Sequence, residues 1–283
     1  MRRFIDFYTA HRDDLDALIF DVDGTLVSGR TLIPEAAELL ERLREDKFPY
    51  FLLTNDACNS CERKAEIISA TGLQITPEQI ISSGNALEEY IRVHGLAGKK
   101  FYQCGSLGEP SYAEKAGLIV TRDPREIDEC EGVVMGEGKY DWFSEVNGLF
   151  NFLLRNPDAP LLVSNPDSYW PHPGGMGVGA GGMCRFICGL VKEAGFEVTP
   201  TYLGKPYAPI YEYVLKRLPE MVPTCPNPAP ERIAMIGDSL ASDIQGGNGA
   251  GMLTCLVLTG ITTRELADNA PLHRKPAEIF DTL

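Results

Sequence analysis

The sequence predicts an α/β protein: a parallel-sheet core with a second α/β unit inserted into it. Short β-rich apolar runs alternate with longer stretches of helical periodicity along most of the 283 residues. The runs are continuous rather than alternating, as in strands buried on both faces. Those of the outer unit end in polar residues, at the sheet edge where parallel strands place their ligands.

Ala17-Leu18-Ile19-Phe20 is the first such strand. Pro34 opens a helix in which Ala36, Leu39, Leu40 and Leu43 share a face. Tyr50-Phe51-Leu52-Leu53 is the second strand, followed by an amphipathic stretch from Cys61 to Ala70 that Gly72 stops. Phe101-Tyr102-Gln103-Cys104, Val133-Val134-Met135 and Leu161-Leu162-Val163 read as strands of the inserted unit, with helices near Tyr112 and between Asp141 and Arg155. The expected division is a core of 1–85 and 198–283 with 86–197 inserted. Thr201-Tyr202-Leu203 then counts as a short strand of the returning core. Pro219 to Pro230 holds five prolines and reads as an irregular surface loop. Ile233-Ala234-Met235-Ile236 and Leu253 to Leu258 are two more buried strands, with Gly246 to Gly251 forming a helix and turn before the last core strand.

The composition narrows the function classes. Hydrophobic residues make up 44% and charged residues 23%, the balance of a globular protein with a proper core. With 40 acidic against 26 basic residues the net charge is -14, which disfavours nucleic-acid polymers and anionic membranes. No apolar run approaches the roughly 20 residues that span a bilayer. Arg2-Arg3 is followed by Asp6, Asp13, Asp14 and Asp16 rather than an apolar export segment, so a cytoplasmic location is expected. Eight scattered cysteines in a chain of this size are expected to be reduced thiols. Cys58-Asn59-Ser60-Cys61 has C-x-x-C spacing, but no second C-x-x-C or H-x-x-x-H completes a zinc site, and Cys184 and Cys188 lie on one face of a helix.

The strand ends carry the chemistry. The first runs into Asp21-Val22-Asp23-Gly24-Thr25 and the second into Thr54-Asn55. Thr201-Tyr202-Leu203 runs into Gly204-Lys205-Pro206, and the Ile236 strand into Gly237-Asp238, with Asp243 five residues on. Crowded carboxylates repel by about 4 kcal/mol per pair near a surface. A cation offsets that, and an oxygen-only site favours Mg²⁺. Lys205 and Thr54 then suit the oxygens of a phosphoryl group. In a strict strand Asp21 and Asp23 point the same way, so one serves as nucleophile while the other handles a proton. Gly24 lets the chain turn and bring its N–H close to phosphate.

These four motifs, in this order and at these strand ends, resemble those of the haloacid dehalogenase superfamily. Asn165-Pro166-Asp167, the glycines from Gly177 to Gly182, and Thr259-Gly260-Ile261-Thr262-Thr263 make the chain similar to the NagD-like, or nitrophenyl-phosphatase-like, branch (subclass IIA, with a C2-type cap). The likeness covers nearly the whole chain from about Leu18. It implies a Rossmann-like core and a Mg²⁺-dependent phosphatase that forms a phosphoaspartate on Asp21. Asp23 would be general acid and then base. Asp21, the main-chain carbonyl of Asp23, and Asp238 would hold Mg²⁺, with Asp243 as a ligand or a partner of one. Thr54, Asn55 and Lys205 would grip the phosphoryl group. From the cap, Asn165, Asp167 and His172, with Trp170 nearby, are the candidates for contacting the leaving group. The dehalogenase members lack the second aspartate, so Asp23 argues against C–halogen cleavage.

The implied partner is a small phosphorylated metabolite: a nucleoside monophosphate, a sugar or glycerol phosphate, phosphoglycolate or pyridoxal phosphate. Phosphoryl transfer to another acceptor and an idle phosphometabolite-binding scaffold are the alternatives. Cap-mediated dimers occur in relatives and twofold dimers are the commonest assembly, which suggests a homodimer. One departure stands out, since Asp56 occupies the place where many relatives carry a second asparagine. Two motifs are set aside. Gly177 to Gly182 fits G-x-G-x-x-G, but Tyr169 to Gly174 cannot form the buried strand a dinucleotide fold requires. Gly204-Lys205-Pro206 lacks the upstream glycine and the Ser/Thr of a P-loop.

Overall fold

The computed structural model describes residues 1–29, 31–172, 174–222 and 226–283, with the main chain alone for Pro171 and His172. The chain divides into two compact units. Met1–Thr54, Cys61–Ile81 and Lys205–Leu283 form one; Asn55–Ser60 and Ser82–Gly204 form the other. The division read from sequence differs at the joins: the inserted unit starts at Ser82, ends at Gly204, and also takes the loop Asn55–Ser60.

The first unit is built on a six-stranded sheet in the order Glu278–Phe280, Leu253–Val257, Ile233–Gly237, Ala17–Phe20, Tyr50–Thr54, Ile80–Ser82. The four pairings from Glu278–Phe280 across to Tyr50–Thr54 are parallel. Every residue of Ala17–Phe20, Tyr50–Thr54 and Ile233–Gly237 is buried, the physical reason for their unbroken apolar runs. Helix Pro34–Glu45 buries Ala36, Leu39, Leu40 and Leu43 in the same core.

Three features of this unit were not legible beforehand. Helix Phe4–His11 buries Phe4 and Tyr8 completely, with the Phe4 ring edge-on to Phe20 and Phe280 at 6.2 and 5.4 Å. The edge strands Ile80–Ser82 and Glu278–Phe280 have three residues each, too few for a distinct apolar run, so Leu253–Val257 is not the last core strand. Helix Ala208–Met221 runs through Pro219 into the stretch expected to be loop. A proline in the last turn removes one N–H and lets the helix end within a few residues. Cys225, inside that stretch, lies outside the described residues.

The inserted unit carries a five-stranded sheet in the order Thr201–Tyr202, Leu161–Val163, Gly132–Met135, Lys100–Cys104, Ile119–Thr121, with all four pairings parallel. The strand Thr201–Tyr202 therefore belongs to this sheet and not to the returning core. Thr201 pairs with Leu162, and Leu203 N–H donates to Val163 O at 3.0 Å before the chain leaves at Gly204. Helices Asn147–Arg155 and Ala180–Glu193 pack on this sheet through Leu149, Phe152, Cys184 and Ile187. Between Leu161–Val163 and the second of those helices, Tyr169–His172 and Gly175–Val178 form an antiparallel hairpin. Tyr169 and Val178 are exposed, so this segment is indeed no buried strand, but part of the glycine-rich entry is strand. Among the described residues no helix is long and apolar enough to cross a membrane.

Candidate active site

Register assembles the site in the first unit. Phe20 pairs with Leu52 on one side and Ile236 on the other, so Asp21 and Asp238, just beyond their strands, and Thr54, the last residue of its own, reach one sheet edge together. Asp21 N–H donates to Ile236 O at 2.8 Å and keeps the chain strand-like through Asp21. The chain then turns back, with Leu26 N–H and Val27 N–H both donating to Val22 O at 2.9 and 3.1 Å, and Gly24 N–H donating to Val27 O at 2.7 Å. Asp23 sits in this turn with an exposed side chain. Thr54 is buried at the end of its strand.

Lys205 opens the returning chain and is almost wholly buried, its side chain 3% exposed. Its Nζ donates to Asp21 Oδ1 at 2.5 Å and to Asp243 Oδ1 at 2.8 Å. Asp243 lies in a π-helical turn, Leu240–Ile244, entered through Ser239, whose hydroxyl accepts from Ser242 N–H at 3.2 Å. Such turns recur where a side chain must be re-aimed at a site. Ser239 N–H donates to Asp243 Oδ2 at 3.1 Å, and Ile261 N–H donates to Asp238 Oδ2 at 2.7 Å.

Carboxylate oxygens of Asp21, Asp238 and Asp243 all lie within 4.8 Å of one another. Three carboxylates face one ammonium, so the cluster carries two negative charges in excess when fully ionised. Burial first, then the Asp21 and Asp243 charges, push Asp238 up to about 8. Burial also pushes Asp243 up to about 7, with Asp21 adding to it and Lys205 opposing it. Burial alone would lower Lys205, but the two carboxylates beside it prevail and hold it above the ordinary lysine range. These are hard oxygen donors with surplus negative charge away from water, and that donor chemistry fits a divalent cation such as Mg²⁺. The Asp23 carboxylate is not part of this cluster, which leaves its main-chain carbonyl as the contribution the resemblance implies.

Two glycines hold the cluster closed. Gly24 has φ +85°, and a Cβ there would lie 2.4 Å from Asp238 Oδ2; a Cβ on Gly260 would lie 1.9 Å from the same atom. Thr259, beside Gly260, donates its hydroxyl to Gly24 O at 2.6 Å and ties the two segments together. Thr259, Gly260 and Ile261 were visible in the sequence only as part of a resemblance. They seat Asp238, and that depends on a contact across more than two hundred residues. Gly24→Ala is expected to cost about 1–2 kcal/mol in backbone strain and to displace Asp238. Urea denaturation should show the first effect and a weakened Mg²⁺ response in the same variant the second.

The other predicted residues lie in the inserted unit. Asn55 Nδ2 donates to Asp167, 3.1 and 3.2 Å from its two carboxylate oxygens, so this amide is engaged by a residue of its own unit. Asn165 Oδ1 accepts from Asp167 N–H at 2.8 Å, and its Nδ2 donates to Glu137 Oε1 at 2.5 Å. Glu137, at the end of the Gly132–Met135 strand, carries no sequence signal. The side chain of His172 lies outside the described residues. Trp170 is 43% exposed on the hairpin and covers Gly177. Asp56 acts locally, its carboxylate accepting from Cys58 N–H at 2.6 Å and from Asn59 Nδ2 at 3.2 Å and so fixing its own loop. Among the described residues Asp21, Asp238 and Asp243 are the one group of metal-ligating side chains, and Cys58 and Cys61 do not form another.

The chain matches hydrolase family models and curated phosphatases. Residues 18–119 match the family described as haloacid dehalogenase-like hydrolase, and residues 202–283 match a HAD-hydrolase-like family. A dihydroxyacetone phosphatase of Corynebacterium glutamicum is 27% identical, over 90% of this chain and 84% of its own. The ribonucleotide monophosphatase NagD of Escherichia coli is also 27% identical, over 94% of this chain and 96% of its own. The solved structure of NagD superposes with a TM-score of 0.76 at 25% identity, covering 95% of this chain and 96% of that one. A glycerol phosphate phosphatase from Mycobacterium tuberculosis, solved with magnesium, gives 0.79 over 100% of this chain and 78% of its own, and at 23% identity bears on the fold alone. The chain belongs to the haloacid dehalogenase-like hydrolases, in their NagD-like branch.

Proposed function

We propose that the protein hydrolyses small phosphate monoesters through a phosphorylated Asp21, with Mg²⁺ held by Asp21, Asp238 and Asp243 and by the Asp23 carbonyl. As a member of this family it is a phosphomonoester hydrolase. The observation that carries the fuller reading is the group of three carboxylates, Asp238 and Asp243 buried and Asp21 half-buried, gathered around a single lysine at the carboxyl edge of the sheet.

In this reading an Asp21 carboxylate oxygen attacks phosphorus, and the bond to the leaving oxygen breaks as the acyl phosphate forms. Asp23, exposed beside it, gives that oxygen its proton and then takes one from the attacking water, a contribution of about 10²–10⁴ in rate. Lys205 fixes the orientation of Asp21 and, with Thr54, balances charge on the phosphoryl oxygens, with Asn55 adjoining. Mg²⁺, when bound, would supply the charge that the three carboxylates and a phosphate dianion need to share one site.

The curated relatives named above are a dihydroxyacetone phosphatase and a ribonucleotide monophosphatase, which supports small phosphorylated metabolites as the substrate class here. Asn165, Asp167 and His172 of the inserted unit are the residues proposed to select among them. A net charge of -14 leaves polymeric nucleic acid and anionic membranes as poor partners. We place the enzyme in the cytoplasm, as a homodimer.

Phosphate release from a panel of such esters tests the activity, with turnover expected in Mg²⁺ and none after EDTA. Turnover undiminished by EDTA would remove the metal from the account. Mg²⁺ is also expected to raise the melting temperature, and more so at pH 8 than at pH 6. The folded carboxylates hold protons that the unfolded ones have lost, so apo stability falls as pH rises through this range. The metal displaces those protons and binds better where fewer remain.

A further inference from the structure

We infer that Glu137 is a positioning residue for substrate selection: it fixes the Asn165 amide and, through it, Asp167. The inference rests on the reading above in which Asn165 and Asp167 select the substrate. Register brings the two side chains together. Met135 pairs with Val163 in the parallel sheet of the inserted unit, so Glu137 and Asn165, each two residues further on, leave one sheet edge side by side. Glu137 is anchored there by its own main chain, whose carbonyl accepts from Ser106 N–H at 2.6 Å. Its side chain is half-buried, and Asn165 is buried.

The orientation of the Asn165 amide follows from what surrounds it. Asp167 N–H can only donate, so at 2.8 Å it faces Asn165 Oδ1. That turns Nδ2 the other way, where it needs an acceptor, and Glu137 Oε1 accepts from it at 2.5 Å. The second Glu137 oxygen accepts from Cys58 Sγ at 3.9 Å. The Asp167 carboxylate in turn accepts from Asn55 Nδ2. Glu137, Asn165, Asp167 and Asn55 thus form one continuous chain of polar contacts within the inserted unit.

The main chain of the same loop is fixed from another side. Gly179 N–H donates to Ser168 O at 2.9 Å, and Arg185 Nη1 donates to Pro166 O and to Ser168 Oγ, both at 2.9 Å. A Cβ on Gly181 would lie 1.9 Å from Pro166 O, and one on Gly179 would lie 2.3 Å from Asp167 O. The glycine run therefore gives the loop room to lie against the start of helix Ala180–Glu193. With the backbone settled in this way, Glu137 is the acceptor that decides where the Asn165 amide points. A polar side chain meant to meet a substrate loses affinity when its own orientation is left free.

The test is steady-state kinetics of the whole protein over the ester panel, comparing the parent with Glu137→Met, Glu137→Gln and Asp167→Asn. Glu137→Met keeps the length of the side chain and offers Asn165 no oxygen. The KM of the best ester is expected to rise about fivefold or more, the worth of one hydrogen bond. The ranking of esters should flatten, while kcat and the Mg²⁺ concentration for half-maximal activity stay at the parental values. Glu137→Gln retains a carbonyl oxygen for Asn165 Nδ2 and should restore both KM and ranking. Should Glu137→Met fail to fold, Glu137→Asp, one methylene shorter, takes its place with a smaller rise in KM expected. An unchanged KM and ranking in the folded variant would overturn the inference. So would a loss that Glu137→Gln does not recover, or a fall in kcat at constant KM. Asp167→Asn separates the inference from the reading beneath it. A ranking shifted by Asp167→Asn but not by Glu137→Met sinks the positioning role alone, whereas a ranking indifferent to both sinks the selection reading and the inference together.

Discussion

Asp21→Asn is expected to abolish turnover, lowering kcat by on the order of 10⁴ or more, because the amide is no nucleophile toward phosphorus. The expectation is sharpened by what the substitution should leave intact. Asp21 is one of three carboxylates around a single lysine, and removing its charge takes the ionised cluster from two negative charges in excess to one. Lys205 keeps its bond to the buried Asp243. The apo variant should therefore melt at or above the temperature of the parent, with weaker stabilisation by Mg²⁺. Lost activity with retained or raised apo stability would separate a chemical role from a folding defect, and a large drop in melting temperature would contradict this electrostatic account.

Lys205→Met is expected to cost about 3–5 kcal/mol of stability, the usual penalty for removing one member of a buried ion pair, together with most of the activity. The methylene stem is replaced well, but Asp243, with no exposure, and Asp21 lose the cation between them. The pH dependence fixes the cause. Lys205 is held above its ordinary value, so its contribution is fully present at neutral pH and is lost only in strong alkali. In the variant, Asp243 and Asp238 hold their protons more firmly still, and a protonated pair needs no cation. The deficit should thus be largest near pH 8 and shrink toward pH 5.5. Urea denaturation of parent and variant at both pH values measures it, and a deficit independent of pH would assign the loss to packing instead.

How much of this was legible in the sequence varied with physical cause. The three central strands were, because burial on both faces demands unbroken apolar runs such as Ala17–Phe20 and Ile233–Gly237. Asp21 and Asp238 were also legible, since each stands just past a strand of the six-stranded sheet, whereas Lys205 follows a strand of the other sheet and Asp243 lies within a helical turn. Thr201–Tyr202 was placed in the wrong sheet because a two-residue strand carries no pattern of its own, and its partner is set by Leu162 and Val163. Helix Phe4–His11 was missed because its burial depends on Phe20 and Phe280 arriving beside it. The seating of Asp238 by Gly24, Gly260 and Ile261 was invisible for the same reason: close approach is a property of folded segments, not of neighbours in the chain. Asn55 reads as a phosphate ligand from its place after Thr54, and only the fold shows its amide facing Asp167.

The central claim is a phosphoryl group carried on Asp21. The most direct measurement is to quench the enzyme with acid during turnover of its best ester and map the modified peptide by mass spectrometry. One phosphoryl group on Asp21, absent from Asp21→Asn and discharged when the quench is delayed past substrate exhaustion, is the result this account predicts. An enzyme that turns over and is never phosphorylated, or is phosphorylated at another residue, would contradict it.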